Sequence, residues 1–202
     1  DFLKLEETIK INKGISHIAI VHNETSTGLL NDLKKISMLA KKYKLEVIVD
    51  AMSSYGAIPI NMEALNINYL AASSNKNLQG LPGVSFVIAR LDSLINLKDQ
   101  EQLSYYLSLK EQYEYFKANR QTRFTPPVQT LYALKQAIKE TKLETIEKRY
   151  ARYKKSWRTL VDGICKLGLN YIVDKENHSK IITAIKMPEH INFHELQSST
   201  LS

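Results

Sequence analysis

The sequence predicts an α/β protein, a mainly parallel sheet with covering helices followed by the start of a smaller α/β unit. Three observations predict it. Short apolar runs alternate with amphipathic stretches over residues 1–90, the pattern of strands joined through helical crossovers. Ala72 and Val84 bracket a loop with only 11 residues between them. That is too short for a helical crossover, so the strands it joins are expected to be antiparallel neighbours. Residues 128–167 then carry two helical patterns, and two further strand candidates follow.

Leu3 to Ile11 reads as an amphipathic helix stopped by Asn12-Lys-Gly14. Ser16 to Val21 is a strand that runs into the polar loop His22-Asn-Glu-Thr-Ser-Thr-Gly28, and Leu29 to Lys42 is the next helix. Leu45 to Val49 is a strand that ends against Asp50, and a turn near Asn61 to Leu65 leads to a strand at Tyr69 to Ala72. Val84 to Ala89 is the fourth strand. Residues 92–122 read as mainly helical. Their tyrosines (Tyr105, Tyr106, Tyr113, Tyr115) suit an ordinary packed helix, or else a subunit contact or a cover. Pro126 and Pro127 break that pattern. A helix is expected from Val128 to about Glu140 and a longer one from Lys142 to Leu167. The second carries apolar residues at 143, 146, 150, 153, 157, 160, 164 and 167, one buried stripe. Asn170 to Val173 and Lys180 to Lys186 are strand candidates, and a last helix begins near Ile191.

Composition narrows the class. A hydrophobic share of 44% and a charged share of 24% belong to an ordinary globular chain. The single cysteine, Cys165, excludes an internal disulfide and suits a reducing cytoplasm. No apolar run approaches the ~20 residues of a membrane helix, and the first residues do not form a signal peptide. The net charge of +7 is spread over helical segments as a solvated face, so neither nucleic acid nor membrane is expected as a partner. No set of metal ligands stands out.

Chemistry concentrates between Tyr69 and Gly83. Lys76 sits there among small and polar residues, flanked by Gly80 and Gly83, an odd place for an ammonium group unless chemistry uses it. A lysine in a partly desolvated pocket has a lowered pKa and can form a Schiff base with a carbonyl. The carbonyl most often held in this way is that of pyridoxal 5'-phosphate, whose ring nitrogen needs a carboxylate. Asp50 lies 26 residues upstream, at the end of the neighbouring strand, where α/β sheets present ligands. No dinucleotide-binding or P-loop glycine pattern is present, which weighs against a nicotinamide-dependent dehydrogenase.

Four segments together resemble the class V, fold-type I pyridoxal-phosphate aminotransferases. They are His22-x-Glu-Thr-Ser-Thr-Gly28, Val49-Asp-Ala-Met-Ser-Ser-x-Gly56, Ser73-Ser-Asn-Lys-x-Leu-Gln-Gly-x-Pro-Gly83 and Arg123-x-Thr-Pro-Pro127. The second and third are most similar to members that act on 2-aminoethylphosphonate and pyruvate. The resemblance implies that residues 1–125 are the second half of a large cofactor-binding domain. It makes residues 126–202 interdomain helices and an incomplete small domain. It also implies that Lys76 forms the Schiff base and then serves as general base, while Asp50 pairs with the ring nitrogen. Thr25 would bond the cofactor's phenolic oxygen, and Ser73 and Ser74 would line the pocket. Thr125 would reach the cofactor phosphate of a partner subunit, which implies a homodimer. His22 can sit near the ring, although a packed histidine suits the end of a strand equally.

Relatives carry a phosphate-cradling loop before the matched region and a substrate-clamping arginine after it. An isolated 202-residue chain is therefore expected to be a poor transaminase. The alternatives are another class V aminotransferase, of serine– or alanine–glyoxylate or –pyruvate type, and a non-catalytic truncated fragment.

Overall fold

A computed structural model describes residues 2–97 and 104–200. In chain order its elements are α1 (Phe2–Ile11), β1 (His17–Val21), α2 (Leu33–Lys42), β2 (Glu46–Asp50), β3 (Tyr69–Ser73) and β4 (Ser85–Ala89). There follow α3 (Leu91–Ile95), α4 (Leu109–Asn119), α5 (Val128–Glu144), α6 (Ile146–Lys166) and α7 (Phe193–Thr200).

The four strands form one sheet in the order β1-β2-β3-β4. The first three are parallel, and β4 runs antiparallel to β3, as the short loop between them requires. Side chains alternate across the pleat, so Ile18, Val47, Val49, Leu70 and Ala72 point to one face. There they join Leu33, Ile36 and Ala40 of α2 and Ile9 of α1 in the main core. The other face carries Asp50, Ala71 and Ser73 in register toward the C-terminal edge of the parallel strands.

Several boundaries differ from the sequence reading, each for a local reason. Helix α2 starts four residues later than expected. Asp32 caps it by accepting from the Lys35 amide at 3.1 Å, and Leu29 and Leu30 are taken up by bridges to His178 and Asn23. The junction of α5 and α6 falls at Thr145, whose φ of +66° ends one helix while its hydroxyl caps the next. The single stripe expected over 143–167 is consequently broken. Trp157 and Ile164 are buried as expected, but Leu143, Leu160 and Leu167 are exposed, and α6 also buries Arg149 and Val161.

The strands expected at Asn170–Val173 and Lys180–Lys186 do not form. A single bridge, Tyr171 to Ile185, is all that joins them, with an amide bond from Ile172 to Ala184 and another from Lys186 to Asn170. Residues 177–182 dock sideways on the turn after β1, where the Leu30 amide donates to Asn177 and the Ser179 amide to Gly28, each at 2.8 Å. Those two bonds tie the chain at Asn177 and Ser179, between the two expected strands, to the turn after β1.

The region expected to be mainly helical, 92–122, is helical only in α3 and α4, and residues 98–103 lie outside the described residues. Helix α4 buries none of its residues, so it is not an ordinary packed helix. Tyr105 and Tyr106 are exposed and pack on Phe124, with the Arg123 guanidinium 4.7 Å over the Tyr105 ring. Among the described residues no helix is long and apolar enough to cross a membrane.

Candidate functional site

Three loops leave the C-terminal edge of the parallel strands: 22–28 after β1, 51–58 after β2 and 74–83 after β3. Side-chain amides stitch them together. The Ser53 carbonyl accepts from Asn23 Nδ2 and from Asn77 Nδ2, each at 3.0 Å. The Ser53 hydroxyl shares a hydrogen bond with Thr25 Oγ1. His22 Nδ1 and Ser54 Oγ are hydrogen-bonded at 2.9 Å. Burial holds the His22 imidazole down to about 4, so it is neutral at physiological pH.

The lysine loop is closed on itself. The Gly80 amide donates to the Ser74 carbonyl and the Gln79 amide to that of Lys76, while the Ser74 hydroxyl donates to Leu81. Gly80 has no room for a side chain, because a Cβ there would lie 2.9 Å from the Ser74 carbonyl oxygen and 3.6 Å from Ala137 of α5. Helix α6 supports the same loop. Arg149 Nη1 donates to the Asn77 carbonyl at 2.7 Å, and Gln79 Nε2 to the Tyr153 hydroxyl at 3.3 Å.

On this framework sit an amine and a carboxylate. Lys76 is exposed, which corrects the expected partly desolvated setting. Asp50 is exposed too, at the end of β2, with Oδ1 accepting from the Met52 amide at 2.9 Å. Asp50 is in register with Ala71 of β3, and Lys76 follows the end of that strand by three residues, so both groups belong to one sheet edge. Neither forms an ion pair with the other or with any described residue.

Of the other residues picked out by sequence, Thr25 joins this edge through Ser53. Ser73 is buried on the Asp50 face, and its hydroxyl has no partner among the described residues. Ser74 is wholly buried and spends its hydroxyl inside the loop. Thr125 stands apart, exposed on the rim of an open depression of about 630 Å³ lined by residues 121–126. No hydrogen bond among the described residues ties it to the edge carrying Asp50 and Lys76. Sequence reasoning missed Asn23, Ser53, Asn77 and Arg149. Three of these lie inside or beside the motif segments, but Arg149 lies far outside them.

A second concavity, of about 340 Å³, opens at the other end of the sheet between Glu46, Asn68, Arg90 and Asp92. Glu46 is paired with His17 at 3.1 Å and Arg90 with Asp92 at 2.7 Å, while Lys41 and Lys44, also in the lining, form no ion pair among the described residues.

The donor set of the first edge fits pyridoxal 5'-phosphate. It offers an amine for the aldehyde, a carboxylate for the ring nitrogen and hydroxyls for the ring's polar substituents, and the buried, unpartnered Ser73 hydroxyl is one more polar atom on that face.

The profile of the aminotransferase class-V family matches residues 2–199, and the chain belongs to that family. It is 43% identical over 191 residues to the 2-aminoethylphosphonate–pyruvate transaminase of Salmonella paratyphi A, covering 94% of this chain and 52% of that protein. It is 42% identical over the same length to the enzyme of that name from Klebsiella pneumoniae. The chain thus spans about half the length of the curated relatives it matches. Among solved structures, an alanine–glyoxylate aminotransferase from Nostoc sp. superposes with a TM-score of 0.91 at 23% identity, over 100% of this chain and 54% of that one. The ureidoglycine–glyoxylate aminotransferase of Bacillus subtilis gives 0.85 at 25% identity, covering 100% and 52%.

Proposed function

We propose that the protein carrying this chain transfers the amino group of 2-aminoethylphosphonate to pyruvate, giving phosphonoacetaldehyde and L-alanine, with pyridoxal 5'-phosphate as cofactor. The observation that carries the reading is the unpaired amine and carboxylate, Lys76 and Asp50, held by cross-linked loops at one sheet edge. The names of the relatives supply the substrates.

In this reading Lys76 Nζ would hold the aldehyde carbon of the cofactor and would carry the proton that leaves the amine-bearing carbon of the substrate. Asp50 keeps a proton on the ring nitrogen, and Thr25 donates to the phenolic oxygen. When bound, the cofactor supplies the electron sink that acidifies that substrate carbon. Ser73 lines the face beside Asp50, and Ser74 fixes the shape of the loop. Thr125 serves the phosphate across a homodimer interface, the exposed tyrosines of 105–115 being part of that contact. Residues 1–125 belong to the cofactor-binding domain and residues 126–202 to the interdomain helices and small domain. The enzyme acts in the cytoplasm.

The test is the visible spectrum of the protein at its full length. A cofactor band that 2-aminoethylphosphonate bleaches and pyruvate restores is expected. A band indifferent to 2-aminoethylphosphonate but bleached by alanine or serine would transfer the chain to another amine specificity, and no band at all would overturn the reading.

A further inference from the structure

Helix α6 carries a residue that no recognised motif contains. Arg149 is 2% exposed, on a helix face otherwise buried through Trp157, Val161 and Ile164. A guanidinium so far from water is costly unless its donors are met. Those on Nε and Nη1 are met by three acceptors. Nε donates to Glu144 Oε2 at 2.6 Å, and Nη1 donates to the Asn77 carbonyl at 2.7 Å and, more weakly, to the Gly56 carbonyl at 3.4 Å. Glu144 is held in turn by Arg152 at 2.7 Å, and these two arginines keep its carboxyl below the usual carboxylate range.

The two carbonyls belong to the two loops that matter. Asn77 is the neighbour of Lys76. Gly56 closes the loop that begins at Asp50, turns with a φ of +83°, and lies so close to Leu78 that a Cβ there would meet the Leu78 side chain at 3.0 Å. One planar, permanently charged group therefore spans the backbone behind both the amine and the carboxylate. Asn77 Nδ2 and the Ser53 carbonyl join the same loops on the opposite side of Asn77.

We infer that Arg149 is a positioning residue that sets the separation of Lys76 from Asp50 by clamping the Asn77 and Gly56 carbonyls from below, with Glu144 as its anchor. The inference rests on the function proposed above but can fail separately from it. A residue that only filled the core would be replaceable by an apolar side chain of similar length without change at the sheet edge. The geometry denies that: two carbonyls would lose their donor, and the loops would be left with the Asn77–Ser53 bond as their remaining tie.

The test uses Arg149→Met, Arg149→Lys and Glu144→Gln in the protein at its full length. The first readout needs no cofactor. Hydrogen exchange of the cofactor-free protein should show faster exchange, about tenfold or more, in residues 51–56 and 77–80 together in Arg149→Met, with the amides of β1 and β2 unchanged. The second is affinity for pyridoxal 5'-phosphate. It should fall about 10- to 100-fold in Arg149→Met and by a smaller factor in Arg149→Lys, which keeps the charge but loses the fork. The pH at which the visible band changes should move in the same order. If Arg149→Met does not fold, Arg149→Lys and Glu144→Gln carry the same two readouts. A folded Arg149→Met with unchanged exchange in both loops and unchanged affinity would overturn the inference. Faster exchange in both loops of Arg149→Met, together with a wild-type protein that binds no cofactor, would keep the clamp and overturn the function.

Discussion

The two ends of the sheet are built from similar residues and do opposite things with them. At the N-terminal end of the parallel strands the charges around Asn68 are paired, Glu46 with His17 and Arg90 with Asp92 and with the Asn66 side chain, while Lys41 and Lys44 stand at the concavity without ion pairs among the described residues. Asn68 is the hub there. It accepts from the Val47 amide and donates to Ser93 Oγ and Glu46. At the C-terminal end most amides and hydroxyls are matched, Asn23 Oδ1 and the Ser73 hydroxyl being exceptions among the described residues, while the amine and the carboxylate form no ion pair. Amides and hydroxyls bind the loops together, whereas Lys76 and Asp50 are left facing outward without counter-ions among the described residues. The lesson concerns where polar residues spend their bonds. Around Asn68 the central charges are spent on one another, whereas the loops at the other edge are tied by neutral groups and leave Lys76 and Asp50 without ion pairs among the described residues.

That contrast can be broken by exchanging the consequences of mutation. The largest effect expected is from Lys76→Ala in the protein at its full length, a loss of transamination of about a thousandfold or more. Its unfolding free energy should stay within about 0.5 kcal/mol of wild type, because the side chain is exposed and bonded to nothing described. A large drop in melting temperature would place Lys76 in the structural class instead.

A pH titration sharpens the account of the loops. The pKa of His22, about 4 when folded, lies below its ordinary 6.5. Between those values the unfolded chain takes up a proton that the folded chain refuses. Stability is therefore full above about 6.5, falls as the pH drops toward 4, and loses about 3 kcal/mol in all. Denaturant unfolding at pH 7 and pH 4.5 measures it, and His22→Gln should flatten the difference between the two.

The smallest effect tests the opposite end. Asn68→Ala leaves the Val47 amide and the Ser93 hydroxyl without a partner, a cost of about 2 kcal/mol in stability. Activity per folded molecule should be unchanged. An activity loss larger than the folded fraction explains would join the two ends functionally.

Much of this edge was legible in the sequence because local signals suffice for it. The β-branched runs marked four strands, and a loop of 11 residues between Ala72 and Val84 forced the antiparallel fourth. The carboxylate at the end of one strand and the lysine after the next followed from the order of elements alone. What was not legible depends on distant contacts. Arg149 interrupts an apolar stripe, and periodicity treats a charge there as a solvent-facing residue. Only the approach of α6 to the Asn77 and Gly56 carbonyls makes it buried. Residues 180–186 have strand composition, yet the turn at Gly28 captures their backbone neighbours. A Cβ at Gly28 would lie 2.1 Å from the Ile182 carbonyl oxygen, a closeness visible only once both segments are folded.

The central claim is that Lys76 is the amine this edge presents to an aldehyde. Borohydride reduction of the protein at its full length in the presence of pyridoxal 5'-phosphate, followed by peptide mass mapping, addresses it directly. One cofactor-sized mass increment confined to the peptide containing Lys76 is the predicted result. An increment on another lysine, or spread over the exposed lysines of the helices, would contradict it.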